Sequence, residues 1–247
     1  MRRYVADLHV HTVLSPCAAV EMTPRNIILH AAAVGIDIVA ITDHNAGDNV
    51  PAALAAAAGT GVTVLPGMEV ETREEVHLIV LFDQLAALRE WQRLVEANSP
   101  YLVNDAARFG AQFVVDAEDN LLEEKERLLL TSLKIGVAET VTAVSSLGGL
   151  CIAAHIDRPS YSILSQLGFV PDDLSLAAVE VSGRVNLREA RGRFPQAGKL
   201  PFVTASDAHT IDDFIRGPKT VFLIEQPTLA ELRQALYGQN QRKVVVV

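Results

Sequence analysis

The chain has 247 residues, 49% of them hydrophobic, a formal net charge of −9 and two cysteines. That length suits a single α/β barrel over 1–247, and its longest apolar runs, at 36–41 and 244–247, are too short to cross a bilayer. The acidic balance argues against a long grip on nucleic acid, whose affinity comes mainly from Lys and Arg neutralising phosphates. It leaves a small phosphorylated substrate open, since bound cations would offset the charge where a phosphate sits.

In chain order, Met1 to Asp7 lead straight into a strand at 3–9, leaving no room for a signal peptide. Two cysteines give no disulfide framework, so a cytoplasmic protein is expected. Thr23-Pro24-Arg25-Asn26 reads as an N-cap with Pro at the first helical position, and Gly35 closes that helix. His30, inside it, reads as a surface histidine. Strands follow at 36–41, 62–65 and 76–81. From 83 to 149 the rhythm breaks into helices, with one strand at 112–115 and the charged run Leu122-Glu123-Glu124-Lys125-Glu126-Arg127 read as a solvated helix face. Strands resume at 150–154, where Cys151 is a core thiol, then at 177–181, 202–205 and 220–224. Thr228 with Glu231 offers a capping box for the last helix, and 243–247 an edge strand. Alternating strands and helices predict βα units around a parallel sheet.

Six clusters of ligand-type residues punctuate this pattern: Asp7-Leu8-His9-Val10-His11, Asp43-His44, Glu69, His77, His155 and Ser206-Asp207-Ala208-His209. Each is placed at the C-terminal end of an apolar run, where parallel barrels collect their functional groups. His9 and His11, two apart in a strand, face the same way, and Asp207 and His209 repeat the spacing. Imidazole and carboxylate are the usual ligands of catalytic Zn, Mn and Fe, so the pattern predicts one metal site assembled from the whole chain. Asp43 reads as an acid behind His44 rather than a ligand. Arg158 is the first candidate to clamp a phosphate, because a guanidinium fork matches its oxygens. A salt bridge to Asp157 or a neighbouring acid is the alternative, and Arg184 is a weaker candidate. No nucleophile elbow, Walker loop or dinucleotide fingerprint is present.

The ordered set Asp-Leu-His-x-His-Thr at 7–12, Ile-Thr-Asp-His at 41–44, Gly-x-Glu at 67–69, Ala-His at 154–155 and Ser-Asp-Ala-His at 206–209 resembles the PHP (polymerase and histidinol phosphatase) family over nearly the whole chain. The resemblance implies a distorted (β/α)7 TIM-like barrel with a helical insertion around 83–149, two to three metal ions (Zn, Mn or Fe), and phosphoesterase activity through a metal-bridging hydroxide. It implies one metal on His9, His11, Glu69 and Asp207, a second on His44 and His209, and a third on His77 and His155 with Glu69 bridging. Cys17 stands where many relatives carry a carboxylate or histidine, and is either a thiolate ligand of the second metal or a small residue at a turn. Asp207, His209 and Arg158 are the candidate catalytic residues. Two other readings stay open, an amidohydrolase-type hydrolase and a metal-stabilised, non-catalytic binding or regulatory module.

Overall fold

The computed structural model describes residues 1–245. The elements are β1 (Arg2–Val10), α1 (Pro24–Val34), β2 (Ile38–Ile41), α2 (Val50–Ala56), β3 (Thr63–Glu71), β4 (His77–Leu81), α3 (Leu85–Asn98), α4 (Ala106–Phe109), β5 (Phe113–Val115), β6 (Leu121–Glu124) and α5 (Val137–Ser146). They continue with β7 (Leu150–Ala153), α6 (Ile163–Leu167), β8 (Ala178–Val181), α7 (Leu187–Arg193), β9 (Phe202–Thr204), α8 (Ile211–Arg216), β10 (Thr220–Ile224), α9 (Leu229–Leu236) and β11 (Lys243–Val245). The expected edge strand therefore forms, although its residues 246–247 lie outside the described ones. The N-cap at Thr23 and the left-handed Gly35 bound α1 as predicted.

The sheet order is β11-β10-β1-β2-β3-β4-β7-β8-β9. A bridge between Val10 and Ala208 brings the end of β9 back to β1, so β1, β2, β3, β4, β7, β8 and β9 make a nearly closed, TIM-like barrel. Alternation along the strands sorts the core. Ala6, Leu8, Ile38, Ala40, Ile79 and Ile152 pack together inside, while Val39, Ile41, Val64 and Val80 belong to the outer layer shared with helix residues such as Ile27 and Ile28 of α1, Trp91 of α3 and Val141 of α5.

Two expectations are corrected. The barrel is not wholly parallel, because β4 runs antiparallel to both β3 and β7. The connection 72–76 is far too short for the crossover a parallel neighbour needs, so β4 returns as a hairpin and His77 begins its strand instead of ending one. The insertion is also only partly helical. The charged run expected as a helix contains β6, fully exposed and paired with β5. Leu, Glu and Lys favour helix, but the buried Gln112 amide binds the Lys125 and Arg127 carbonyls and accepts from Leu129 N, and Lys125 Nζ meets Asp48 at 2.8 Å. Those contacts hold the segment extended.

A β-bulge in β1 matters most for function. Between Asp7 and Val10 the strand holds one residue more than its partner β2. Leu8 faces the interior and Val10 the outer layer, so the bulge turns His9 and His11 to the inner side. Just below it, fully buried Asp7 accepts from Ser206 N at 3.0 Å and pairs with Lys219 Nζ at 3.1 Å. This pair ties β1 to the loop that carries Asp207. Replacing one partner leaves the other charge uncompensated, so Lys219→Met is expected to lower unfolding stability by on the order of 3–5 kcal/mol in a denaturant titration. An unchanged midpoint would show that the pair does not hold this corner.

Candidate metal centre

The barrel delivers nearly all the predicted residues to one point. Glu69 lies at its middle, buried, with its carboxylate touching five imidazoles. Oε1 meets His77 Nδ1 at 2.8 Å, His155 Nε2 at 3.2 Å and His9 Nε2 at 3.3 Å. Oε2 meets His44 Nδ1 at 3.0 Å and His11 Nε2 at 3.4 Å. Asp207 Oδ1 closes the other side, 3.2 Å from His9 Nε2 and 3.3 Å from His11 Nε2. Among the described residues, three groups have ligand atoms mutually close enough to hold an ion: His9, His11 and Glu69; His11, His44 and His209; and His44, Glu69 and His77.

The donor set fits a cation. His9 Nδ1 lies 3.2 Å from both oxygens of Glu180, and a neutral imidazole carries only one N–H. If Nδ1 donates to Glu180, then Nε2 turns a bare lone pair toward two carboxylates and toward His11 Nε2, 3.2 Å away. A positive ion among them removes that repulsion. Metal–nitrogen bonds of about 2.0–2.1 Å separate neighbouring donors by about 3.0–3.4 Å, the spacing found here.

Three further rings, those of His11, His209 and His77, meet a partner at their second nitrogen, whereas the buried His155 Nδ1 has none among the described residues. His11 Nδ1 meets Ser15 Oγ at 2.9 Å, and that hydroxyl donates to Asp43. Asp43 also accepts from Thr12 N and Thr12 Oγ1, as an acid behind the site should. His209 Nδ1 donates to the Asp207 carbonyl, and His77 Nε2 faces Glu71 at 3.8 Å. Such partners orient a metal-binding ring and raise its basicity. Backbone strain gathers here as well, with positive φ at Asn45, His155, Tyr161 and Asp207.

Charge follows geometry. Burial opposes ionisation of Glu69 and Asp207, yet the surrounding imidazoles hold both well below the usual carboxylate range. Burial likewise opposes the charge on His77, but Glu69 and Glu71 outweigh it and lift the ring to about 9. His9 and His11 are raised for similar reasons. Burial wins at His44 and His209, which fall to about 4 and about 3.

A cavity of about 700 Å³ opens beside the cluster and is lined in part by Cys17, Arg158 and Tyr161. Arg158 reaches it and pairs with Asp207 Oδ2, not with Asp157, which instead binds Ser182. Arg184 is exposed and does not line it. Cys17 stands at the rim and joins none of the ligand groups found among the described residues. Burial by the walls, with Glu69, Asp43 and Asp207 nearby, pushes its thiol to about 12. Cys151 is buried, as expected. Sequence reasoning missed Glu180, Glu71, Ser15 and Tyr161. A carboxylate amid the apolar run Ala178-Val179-Glu180-Val181 was a readable signal, and Glu71 shares the strand face of Glu69. Ser15 and Tyr161 carry none.

The profile of the PHP domain matches residues 7–180. The chain belongs to the PHP domain family. No curated protein sequence matches it. Among solved structures, endonuclease Q from Pyrococcus furiosus, a lesion-specific endonuclease, is similar with a TM-score of 0.69 over 98% of this chain at 20% identity; the chain spans 58% of that protein's length. An endonuclease Q complex with a 27-mer duplex bearing an abasic lesion at its active site gives 0.68, with the same identity and coverage. A structure from Bifidobacterium adolescentis assigned as a metal-dependent phosphoesterase gives 0.55 at 21% identity, covering 83% of this chain and 87% of its own. These likenesses carry the PHP fold. They also overturn the expectation against long nucleic acid, because endonuclease Q, similar over 98% of this chain, forms a complex with duplex DNA whose abasic lesion lies at its active site. Net charge describes the whole chain, whereas a nucleic acid meets one face of it. Among the described residues, no helix is long and apolar enough to cross a membrane.

Two outcomes are expected. Glu180→Gln should weaken metal binding by about 10–100-fold, measured by chelator competition, with unchanged far-UV circular dichroism. Because the raised histidines must lose protons to bind metal, affinity should climb with pH until His77 deprotonates near 9, and calorimetry in buffers of different ionisation enthalpy should count the protons released. Flat affinity between pH 6.5 and 9 would contradict that coupling.

Proposed function

We propose that this chain hydrolyses a phosphate ester at the Glu69 cluster with two to three bound metal ions of the Zn, Mn or Fe type. The observation that supports this reading is the convergence of five imidazoles on one buried carboxylate, with Asp207 opposite and an open cavity in front. His9, His11, Glu69 and Asp207 would hold one ion, His44 and His209 a second, and His77 and His155 a third, with Glu69 shared. Bound metals supply Lewis acidity, making water acidic enough to ionise near neutral pH and offsetting phosphoryl charge.

The chain's own groups do the rest. Asp207 stays ionised and, through Oδ1, orients toward His9 and His11 while Arg158 holds Oδ2. Arg158 is 41% exposed on the cavity side, so its fork is free to turn from Asp207 to a phosphate oxygen. His209, with Nδ1 committed to the Asp207 carbonyl, has Nε2 left as the lone pair it could offer a cation. A phosphodiester in nucleic acid is the second reading, supported by the endonuclease Q complex.

The test is turnover of phosphate monoesters, diesters and abasic duplex DNA by protein resupplied with Mn, Zn or Fe, alongside metal counting by elemental mass spectrometry. Asp207→Asn and His9→Ala should abolish turnover with the fold retained. Arg158→Ala should lower kcat/KM by about 10–100-fold, the worth of a charged hydrogen bond. Full metal occupancy without turnover of any ester would favour the non-catalytic module.

A further inference from the structure

The cavity has two unlike halves. One is the ligand cluster with Arg158, and the other is formed by Pro100, Leu102, Phe109, Leu130 and Tyr161. At about 700 Å³ it falls in the range that encloses a whole small molecule, so a phosphate at the cluster leaves most of it unfilled. What is attached to the phosphate must lie along the apolar half.

That half is exposed and held in place. Leu102 is 52% and Tyr161 44% exposed, unusual for large apolar side chains at the mouth of a polar site. Phe109 ends α4, where Gly110 takes φ +101 and a Cβ would fall 1.9 Å from the Pro16 carbonyl oxygen. Only glycine allows so close an approach, and it seats Phe109 over the loop leading to Cys17. The Arg108 guanidinium covers the Phe109 ring, 5.0 Å from its centroid. Tyr161 adopts φ +56, rare for an aromatic residue. Its carbonyl accepts from His77 N at 2.9 Å, and its ring lies 4.9 Å from the His77 imidazole with a 30° tilt. The exposed ring thus adjoins a ligand-type histidine that itself touches Glu69.

We propose that this wall selects the alcohol half of the substrate: the ester carries a flat aromatic ring, which stacks on Tyr161 while Phe109 and Leu102 enclose it. This rests on the phosphoesterase reading and specifies its substrate class. Aromatic stacking is tolerant of ring identity, since every ring offers a π-face. A branched or polyhydroxylated alcohol gains nothing from such a surface.

The test is binding of stable phosphonates to the metal-loaded protein by calorimetry. 1-Naphthylphosphonate and phenylphosphonate should bind about tenfold or more tightly than methylphosphonate, the scale of one stacking contact. Tyr161→Ala and Phe109→Ala should each shrink that preference while leaving methylphosphonate affinity within about twofold, and Tyr161→Phe should restore it. Equal binding of aromatic and alkyl phosphonates would overturn the proposal alone. So would a loss of both in the alanine variants, because Tyr161 would then serve only to support His77. If no phosphonate binds, and inorganic phosphate does not either, the phosphoesterase reading fails and the proposal falls with it.

Discussion

A carboxylate buried among five imidazoles is the constraint around which the barrel is arranged. An ionised group taken out of water costs several kcal/mol unless it is paired, and Glu69 is matched on both oxygens by rings from β1, β4 and the loops after β2 and β7. No single strand presents so many donors to one point. The irregular features of the fold follow from that demand. The bulge in β1 turns His9 and His11 inward, the hairpin reversal of β4 brings its first residue to the C-terminal rim of the parallel strands, and the left-handed residues His155 and Asp207 turn the loops after β7 and β9 over the centre.

Rigidity is supplied from behind. Glu180, the Ser15–Asp43 relay and the Asp207 carbonyl take the second nitrogens of His9, His11 and His209, so the orientation of these three rings is set before any ion arrives. The same framework reaches the wall of the cavity. Asn49, following β2, donates to Thr12 Oγ1 and the Phe113 carbonyl and accepts from Val115 N. Asn45 donates to the Leu129 and Thr131 carbonyls. Buried amides therefore pin the insertion to the loops that carry the ligands, making the wall a fixed extension of the barrel. Metal geometry and substrate selection share these contacts, and a change at Asn45 or Asn49 acts on both.

The strand centres and the positions of the converging histidines and acids were legible because both are local. An apolar, β-branched run declares a strand, and a histidine or acid at its end declares a site. What escaped depends on partners distant in sequence. The direction of β4 lay in the shortness of 72–76, a constraint on topology that strand propensity does not carry. The extended form of Leu121–Glu124 depends on Gln112, which competes for carbonyls that a helix would have used. Glu180 stood out in the sequence only as a carboxylate within an apolar run, and its partner, His9, appears only when β8 is set across the barrel from β1.

The acidic count misled for a related reason. Asp7, Asp43, Glu69, Glu180 and Asp207 all contribute to the formal −9, yet each is buried or nearly so, in or behind the cluster. Lys219 answers Asp7, imidazoles answer Glu69 and Asp207, and hydroxyl and amide donors satisfy Asp43. The field reaching solvent is therefore weaker than the formal figure, and low-dielectric walls shape it locally. A phosphate approaching the rim where β1 and β9 end meets Arg158 and a cation-binding centre, so its attraction is decided by that small region and not by the average of the chain.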